Sequence, residues 1–316
     1  MFTGKYCEHL PLYRQSEIFA RQGAELSRAL LSNWVDACCQ LMTPLNDALY
    51  RYVMNTRKLH TDDTPVKVLA PGLKKTKTGR IWTYVRDDRN AGSSSPPAAW
   101  FAYSPNRQGK HPEQHLRPFR GILQADAFTG YDRLFSAERE GGALTEVACC
   151  AHARRKIHDV YISSKSTTAE EALKRISELY AIEDEIRGLP ESERLAARQQ
   201  RSKALLTSLH EWMVEKNGTL SKKSRLGEAF SYVLNQWDAL CYYRDDGLAE
   251  ADNNTAERAL RAVCLGKKNS YDLCQILSPK RPYAAPGASL YRGLKNLKQS
   301  DCILDFTNSY SGILAP

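Results

Sequence analysis

The period of the hydrophobic pattern changes twice along the chain, and this limits the folds that the chain can adopt. Apolar residues recur at helical spacing over residues 12–57, whereas from residue 60 they alternate with polar residues, as in half-buried strands. Residues 166–247 again show helical spacing and contain no strand pattern. A strand-rich stretch between two helical stretches predicts an α/β protein.

Five short segments in this middle stretch have the composition and length of strands. They are "TPVKVLA", "GRIWTYVRD", "AAWFAYS", "GILQADAF" and "TEVACCA". The first three are joined by turn-forming sequence, which predicts a meander. Helical sequence lies around the fourth strand and after the fifth, as expected of crossover connections. We therefore expect a mixed α/β sheet.

The same pattern divides the chain into five parts. They are a helical segment (1–57), the first part of the α/β core (58–165), an all-helical insertion (166–247), a core helix (248–269) and a tail (270–316). The tail has no clear period and several turn-forming residues, so no helix or strand is predicted there.

The first segment has the pattern of a helix-turn-helix. Gly23 separates two short amphipathic helices, and Ser27 can cap the second one. The apolar face predicted for the second helix consists of residues near helical spacing, namely Leu26, Leu30, Trp34 and Cys38. If the unit reads DNA, Arg28 and Asn33 are its exposed candidates for contact. The alternative is a helical hairpin that only packs on the next domain.

Three acidic residues lie in three different settings. Asp62 stands at the start of the first strand region, Asp126 near the end of the fourth strand, and Glu257 on the helix "NTAERALRAV". If the first and fourth strands are neighbours, the first two carboxylates project from one edge of the sheet, and the helix has to bring in Glu257. Each acid alone is typical of a solvated surface residue. The joint pattern points to one site.

Carboxylates in such a group are ligands for hard cations. Mg²⁺ binds one or two carboxylates together with phosphate and water. Two such ions stabilise both the attacking and the leaving oxygen of a phosphoryl displacement. The three acids therefore make the chain a candidate DNA-processing enzyme.

Basic residues near the predicted site are candidates for phosphate contact. Arg258 and Arg261 are three residues apart and so share one face of the helix that carries Glu257. A second group begins the helix after the fifth strand and consists of Arg154, Arg155 and Lys156. For both groups the alternative is an ordinary solvated helix face.

Cys149 and His152 have the spacing Cys-x-x-His within "CCAHARR". No second ligand pair with suitable spacing follows, so a zinc site is not favoured. As accessory residues they would contact DNA or order the catalytic acids. The alternative is a buried thiol beside a histidine at the start of a helix.

Composition limits which partners the chain is expected to bind and in which cell compartment it is expected to lie. Lys and Arg number 45 against 36 for Asp and Glu, and the resulting charge of +9 suits a polyanion such as DNA without requiring one. Nine scattered cysteines without a CxxC pair predict reduced thiols in a cytoplasmic protein. No apolar run approaches the ~18 residues of a membrane span. Phosphate-loop and GxSxG motifs are absent, so neither a nucleotide cofactor nor acyl transfer is expected.

Seven stretches together resemble the bacterial insertion-sequence transposases of the DDE type, specifically the insertion sequence 66 family. They are "HLPLYRQSEIFARQGAELSRALLSNWV", "LHTDDTPVKVLAPG", "KTKTGRIWTYVRDD", "GILQADAFTGYDRLF", "EVACCAHARRKIHD", "LNQWDALCYYRDDGLAEADNNTAERALR" and "LGKKN". The resemblance spans roughly residues 8–269, and this combination of motifs is highly specific.

The resemblance implies a ribonuclease H-like fold with a helical insertion before the last acid. It also implies cleavage and strand transfer of transposon ends with Mg²⁺ (or Mn²⁺), as two ions. Asp62, Asp126 and Glu257 match the three catalytic acids and metal ligands, and Asp63 is the runner-up for the first ligand. The expected partners are transposon-end DNA, target DNA and further copies of this chain, in the cytoplasm at the nucleoid.

Both ends of the chain depart from the family pattern. Members carry a helical, cysteine-rich zinc-binding region ahead of the "LYRQ" stretch, so we expect this chain to be truncated at its N-terminus. After Asn269 the resemblance stops, and a frameshift near residue 270 is a simple explanation. Losing the helix that normally packs behind the Glu257 helix would expose apolar surface there.

Two other functions remain open from the sequence. One is a DNA-binding remnant that occupies transposon ends without cutting them, and Mg²⁺-dependent cleavage of end DNA distinguishes it from an active enzyme. The other is a ribonuclease H-like nuclease of host function. It is the weaker alternative because the insertion and "DNNTAERALR" point to a transposase.

Overall fold

A five-stranded mixed sheet forms the centre of the computed structural model, which describes residues 1–68 and 76–269. The strands are β1 (Lys58–Val68), β2 (Lys77–Arg86), β3 (Ala98–Ser104), β4 (Ile122–Ala125) and β5 (Thr145–Ala148). Their order is β3-β2-β1-β4-β5; β2 is antiparallel to β1 and β3, and β4 is parallel to β1 and β5. The predicted mixed sheet is confirmed. The predicted tail at 270–316 lies outside the described residues.

Helices precede, interrupt and follow the sheet. Before it lie α1 (Phe2–Tyr6), α2 (Leu12–Arg21), α3 (Arg28–Leu41) and α4 (Thr43–Met54). On either side of β4 lie α5 (Lys110–His115) and α6 (Asp132–Phe135). The helices that follow the sheet are α7 (Cys150–Ser164), α8 (Thr167–Glu185), α9 (Glu191–Ala197), α10 (Lys203–Thr219), α11 (Arg225–Asn235), α12 (Trp237–Cys241) and α13 (Asn254–Asn269). A π-helical turn, Arg198–Ser202, joins α9 to α10.

Local sequence explains how α3 begins. Gly23 has a φ of 85°, a left-handed conformation that glycine adopts without strain, and the chain reverses there after α2. Ser27 then caps α3, since its Oγ accepts a hydrogen bond of 3.2 Å from the amide of Leu30. The sequence predicts this cap.

The buried face of α3 lies one residue away from the predicted one. Leu31 and Val35 are buried, whereas Leu30 and Trp34 are 37% and 42% exposed. The cause is packing against α1 and α2, because Leu31 and Val35 form one cluster with Leu12 and Phe19 of α2 and with Phe2 and Tyr6 of α1. The pattern of α3 alone contains no sign of these partners.

Each face of the sheet belongs to a different hydrophobic core. Leu59, Trp82 and Leu123 form one core together with residues of α4. Ile122 and Val147 join the other core, which continues into α7, α8, α10 and α11. The helical block after β5 therefore shares its core with the sheet, and this fixes its position beside the carboxyl ends of β4 and β5.

None of the helices within residues 1–68 and 76–269 has the length and apolar content needed to cross a lipid bilayer.

Candidate active site

Asp62 and Asp126 occupy equivalent places on neighbouring parallel strands. The register of β1 and β4 pairs His60 with Gln124, and each aspartate lies two residues further along. Asp62 therefore lies inside β1, whereas the sequence analysis placed it at the start of the strand. Asp126 directly follows β4. Since side chains two residues apart in a strand point to the same side, Asp62 shares the sheet face of His60.

Glu257 reaches this region on α13, which packs against β1 and β2. It lies in the first turn of that helix. Its Oε1 is 3.7 Å from Nε2 of His152 and 3.5 Å from Nη2 of Arg155, and both of these residues belong to α7. The structure thus places the third predicted acid between the helix that follows β5 and the strand that carries Asp62.

Electrostatic coupling joins the three acids. Burial raises the pKa of Asp62 to about 7, although the amide of Asp63 donates a hydrogen bond of 2.7 Å to its Oδ1 and opposes the rise. The carboxylates of Asp126, Asp63 and Glu257 raise the pKa further. Like charges act in this way only when they lie close together, so the three predicted acids share one environment.

The carboxylate of Asp126 is buried and incompletely hydrogen-bonded. Burial raises its pKa, while the charges of Arg107 and His152 lower it. Its Oδ1 is buried without a hydrogen-bond partner among the described residues. Within residues 1–68 and 76–269, however, no three His, Cys, Asp or Glu side chains form a group that could hold a metal ion. The acids are neighbours, but they do not converge as a finished ligand set.

Asp63, the runner-up for the first ligand, is held by two arginines. Arg80 donates a hydrogen bond of 2.9 Å to its Oδ2, and Nε of Arg107 donates one of 2.9 Å to its Oδ1. The guanidinium of Arg107 also lies 3.8 Å from the ring centre of Phe128, and its Nη2 is 3.7 Å from Oδ2 of Asp126. The carboxylate of Asp63 is therefore neutralised from within the protein.

Asn253 connects the strand that carries Asp62 and the helix that carries Glu257 to Cys149, which follows β5. Its side-chain Nδ2 donates a hydrogen bond of 2.8 Å to the carbonyl of Thr61, and its Oδ1 is 3.0 Å from Nδ1 of His60. Its amide donates a hydrogen bond of 3.2 Å to Sγ of Cys149, and its carbonyl accepts one of 3.4 Å from the amide of Glu257. Cys149 is thus placed beside the site, where burial raises its pKa to about 11.

A buried ion pair anchors the segment just before Asn253. Lys58, which is fully buried, lies 3.0 Å from Oε1 of Glu250 and 3.4 Å from Oδ1 of Asp88. Gln124 exchanges two hydrogen bonds with the backbone of Glu250, of 2.7 and 3.1 Å. Burial is the largest single effect and raises the pKa of Glu250, but the charges of Lys58 and His60 and the hydrogen bonds from Asn90 and Lys58 together outweigh it, and the pKa falls to about 2.

The predicted DNA-contact residues fall into two places. Arg154, Arg155 and Lys156 are exposed on α7, and Arg258 and Arg261 are exposed on α13. All five lie on α7 and α13, the two helices that meet where Arg155 approaches Glu257. Arg28 and Asn33 are exposed on α3, whose main contacts are with α2 and α4 and not with the acids.

Four residues that matter here were not singled out from the sequence: Lys58, Arg107, Glu250 and Asn253. Glu250 and Asn253 lie within "AEADNNTAER", so the motif that identifies Glu257 already contained them. Arg107 lies in the loop after β3, where no periodic pattern marks it. Lys58 is buried in β1, although a charged residue in a strand sequence is ordinarily expected to be exposed.

The chain is similar in sequence to one protein family and to curated proteins of one organism. The family described as "Transposase IS66 family" matches residues 1–275. The uncharacterized protein y4hP of Sinorhizobium fredii (strain NBRC 101917 / NGR234) is 39% identical over 277 residues, which cover 84% of this chain and 50% of that protein. The uncharacterized protein y4qI of the same organism is 36% identical over 271 residues, with coverage of 85% and 50%. The chain thus spans about half the length of these curated relatives.

Proposed function

The chain belongs to the IS66 transposase family, and from that premise we propose that it catalyses metal-dependent cleavage of DNA strands at insertion-sequence ends and their transfer to target DNA. The proposal includes a ribonuclease H-like fold for the core. It is supported by the strand order β3-β2-β1-β4-β5, in which an antiparallel meander is followed by two parallel strands. Action on DNA as an oligomer, in the cytoplasm at the nucleoid, is part of the same proposal.

One observation carries the proposal. Asp62 and Asp126 lie at matched positions of adjacent parallel strands, and the pKa of Asp62 is raised by burial and by the carboxylates of Asp126 and Glu257. Three carboxylates that repel one another in a partly buried place destabilise the fold unless a cation or a proton neutralises them. Perturbed carboxylates of this kind are typical of functional sites.

The ligands proposed for Mg²⁺ or Mn²⁺ are Asp62, Asp126 and Glu257. Their carboxylate oxygens suit a hard cation, and the buried Oδ1 of Asp126 lacks any other partner among the described residues. A bound pair of such ions supplies charge stabilisation to the attacking and leaving oxygens of phosphoryl transfer. The protein positions the three carboxylates and forms no covalent intermediate with the DNA.

Asp62 is proposed as the first ligand in place of Asp63. Asp62 shares the sheet face of His60, which is hydrogen-bonded to Asn253 at the start of α13, and so it faces the helix of Glu257. Asp63 points to the other face of the strand and is paired with two arginines. The two arginines neutralise Asp63 and leave Asp62 to face the other acids.

The exposed arginines and lysine around Glu257 are proposed to hold DNA phosphates. Arg155 is already next to the third acid, and Arg154 and Lys156 extend the same surface along α7. Arg258 and Arg261 extend it along α13. Arg28 and Asn33 are proposed to contact DNA from the helix-turn-helix segment, at a separate surface.

The test compares Asp126→Ala with the wild-type chain on DNA that carries the sequences flanking its gene. We expect Asp126→Ala to abolish cleavage with Mg²⁺ while DNA binding stays close to that of the wild type. Asp132→Ala is the matched control, because Asp132 is an exposed aspartate a few residues later, and its cleavage should be normal. Cleavage by Asp126→Ala at the wild-type rate would refute the assignment.

The DNA-binding remnant is the second candidate function. It is favoured by one observation, that the described acids do not form a three-ligand group. Wild-type chain that binds end DNA but leaves it uncut with either Mg²⁺ or Mn²⁺ would support this function over the first.

A further inference from the structure

A buried arginine of the helical block holds the segment that leads to the third acid. Arg198 begins the π-helical turn between α9 and α10, and its side chain is fully buried. Its Nη1 donates to three carbonyl oxygens, at 3.0 Å from that of Tyr243, 2.7 Å from that of Asp246 and 2.9 Å from that of Ala249. All three belong to the connection between α12 and α13, which consists of residues 242–253. One guanidinium therefore fixes the first half of this connection.

The last of these carbonyls belongs to a peptide unit that is held at both its oxygen and its nitrogen. The unit lies between Ala249 and Glu250, and its oxygen accepts the hydrogen bond from Arg198. Its amide donates a hydrogen bond of 3.1 Å to Oε1 of Gln124, which lies in β4 two residues before Asp126. Because a peptide unit is planar and rigid, this unit connects the buried arginine directly to the strand of the second acid.

Stability alone does not account for this buried cluster. Arg198 binds the carboxylate of Glu183, and Nη2 of Arg194 lies 3.9 Å from the same carboxylate. Arg194 is 2% exposed, and its Nε and Nη1 have no hydrogen-bond partner in the part of the chain that the structure describes. Buried donors without partners destabilise a fold, and buried ion pairs are often no more stabilising than apolar side chains of similar volume. The conformation that Arg198 imposes on the connection explains the cluster better.

We infer that Arg198 is a positioning residue for Asp126 and Glu257. The inference rests on the proposed function and deepens it, because it gives the helical block a part in the reaction. The guanidinium holds residues 243–249 and the peptide unit bound to the strand of Asp126, and α13 begins four residues after that unit, with Glu257 in its first turn. Its planar fork reaches the carboxylate of Glu183 and the connection together, which the single ammonium of a lysine does not.

The test compares Arg198→Lys with Arg194→Lys, its matched control. Both arginines are buried in one cluster, but Arg194 donates to the connection only one hydrogen bond, of 3.4 Å, to Ala249. Single-turnover cleavage of saturating end DNA should slow about 10- to 100-fold in Arg198→Lys, because displacements of about 1 Å have effects of that size. This variant should also need more Mg²⁺ for its half-maximal rate. Arg194→Lys should cleave nearly as the wild type does, and DNA binding should stay unchanged in both.

Amide hydrogen exchange tests the same inference without cleavage. Exchange in Arg198→Lys should become faster in residues 243–257, while α3 and α4 exchange as in the wild type. If Arg198→Lys does not fold, Asp246→Ala takes its place, because it removes the carboxylate that binds the amides of Leu248 and Ala249 and leaves the buried cluster intact. It should give the same local change in exchange and slower cleavage.

Two results would overturn the inference. One is an equal loss of cleavage in the two lysine variants, which would show a general loss of stability. The other is wild-type cleavage and exchange in Arg198→Lys, or in Asp246→Ala where that variant replaces it. If the wild type does not cut end DNA but exchange changes as expected, the proposed chemistry fails, whereas the hold of Arg198 on the connection is supported.

Discussion

Asn253 donates a hydrogen bond of 2.8 Å from Nδ2 to the carbonyl oxygen of Thr61, the residue that precedes Asp62. The carbonyl of Asn253 in turn accepts a hydrogen bond from the amide of Glu257. A single buried residue therefore fixes the helix of the third acid against the strand of the first. Displacements of about 1 Å at a catalytic centre can cost ~100-fold in rate, so this connection sets the spacing of the site.

Asn253→Ala should destabilise the fold and reduce cleavage more than it reduces DNA binding. The change leaves the carbonyl of Thr61 and Nδ1 of His60 buried without partners, at a cost of about 1–3 kcal/mol. Urea denaturation measures the stability, and cleavage is measured at a temperature where both proteins are folded. Asn217→Ala is the control, because Asn217 has a single long bond to Ser231. Equal losses of cleavage in both variants would contradict the positioning role.

Asp62→Asn and Asp63→Asn should have opposite effects on stability. The raised pKa of Asp62 means that its charged form is disfavoured in the folded state, so Asp62→Asn should be at least as stable as the wild type at pH 8. Asp63→Asn weakens the ion pairs with Arg80 and Arg107 and should lose about 1–3 kcal/mol. Denaturation curves and cleavage assays of both variants test this. A cleaving Asp62→Asn protein would make Asp63 the better ligand.

His60 and His115 should lose their contribution to stability as the pH drops below the ordinary histidine range, while the raised pKa of Asp62 acts in the opposite direction. Burial lowers the pKa of His115 to about 4, from the ordinary 6.5, and does the same for His60. A depressed pKa means that the unfolded chain takes up the proton first, so the contribution is complete above pH 6.5 and is lost as the pH approaches 4. Each histidine contributes about 2 kcal/mol to the loss near pH ~5.

His115→Gln isolates one of these two contributions. His115 lies in α5, with its Nδ1 2.9 Å from the hydroxyl of Tyr84, and takes part in none of the contacts described for the three acids. The difference in unfolding free energy between neutral and acidic pH should become smaller by about 2 kcal/mol. Urea denaturation over a series of pH values gives this difference. An unchanged pH profile would mean that His115 is not buried as a neutral ring.

Glu183→Gln should be strongly destabilising. Its carboxylate accepts two hydrogen bonds from Arg198, of 2.8 and 2.6 Å, and the side chain of Arg198 is fully buried. Removing one partner of a buried pair leaves an uncompensated charge, which costs ~3–5 kcal/mol. Glu185→Gln is the control, since Glu185 pairs with Arg201 at the surface and should show no measurable change. Thermal melting of the two variants tests the contrast.

Strands and helices were predictable because each has a pattern of its own. The five strands alternate or form short apolar runs, and Ser27 marks the start of α3 with a capping side chain. The buried face of α3 was not predictable, because it depends on how α1 and α2 fold back onto α3, and the pattern of α3 alone does not show this. Burial of Leu31 instead of Leu30 is decided by that tertiary contact.

In the candidate site, too, some residues were predictable from the sequence and others were not. Asp126 was predictable from its place after an apolar run, and Asp62 and Glu257 from motifs that resemble a family. The choice between Asp62 and Asp63 needed strand register and the positions of two arginines, one of them in a loop. No pattern in one sequence shows which of two adjacent carboxylates faces a helix that comes much later in the chain.

The pairing of Lys58 with Glu250 implies an order of assembly during synthesis. The two residues are separated by 192 positions. A nascent chain that has not reached Glu250 therefore has a charged lysine in its central strand with no carboxylate from that later segment. Until the helical block has been made and has folded back, Lys58 has only the carboxylate of Asp88 among these two partners, and the buried ion pair with Glu250 is completed afterwards. Glu257 follows Glu250 in the chain, so the group of three acids is complete only when nearly all of the described protein has been made.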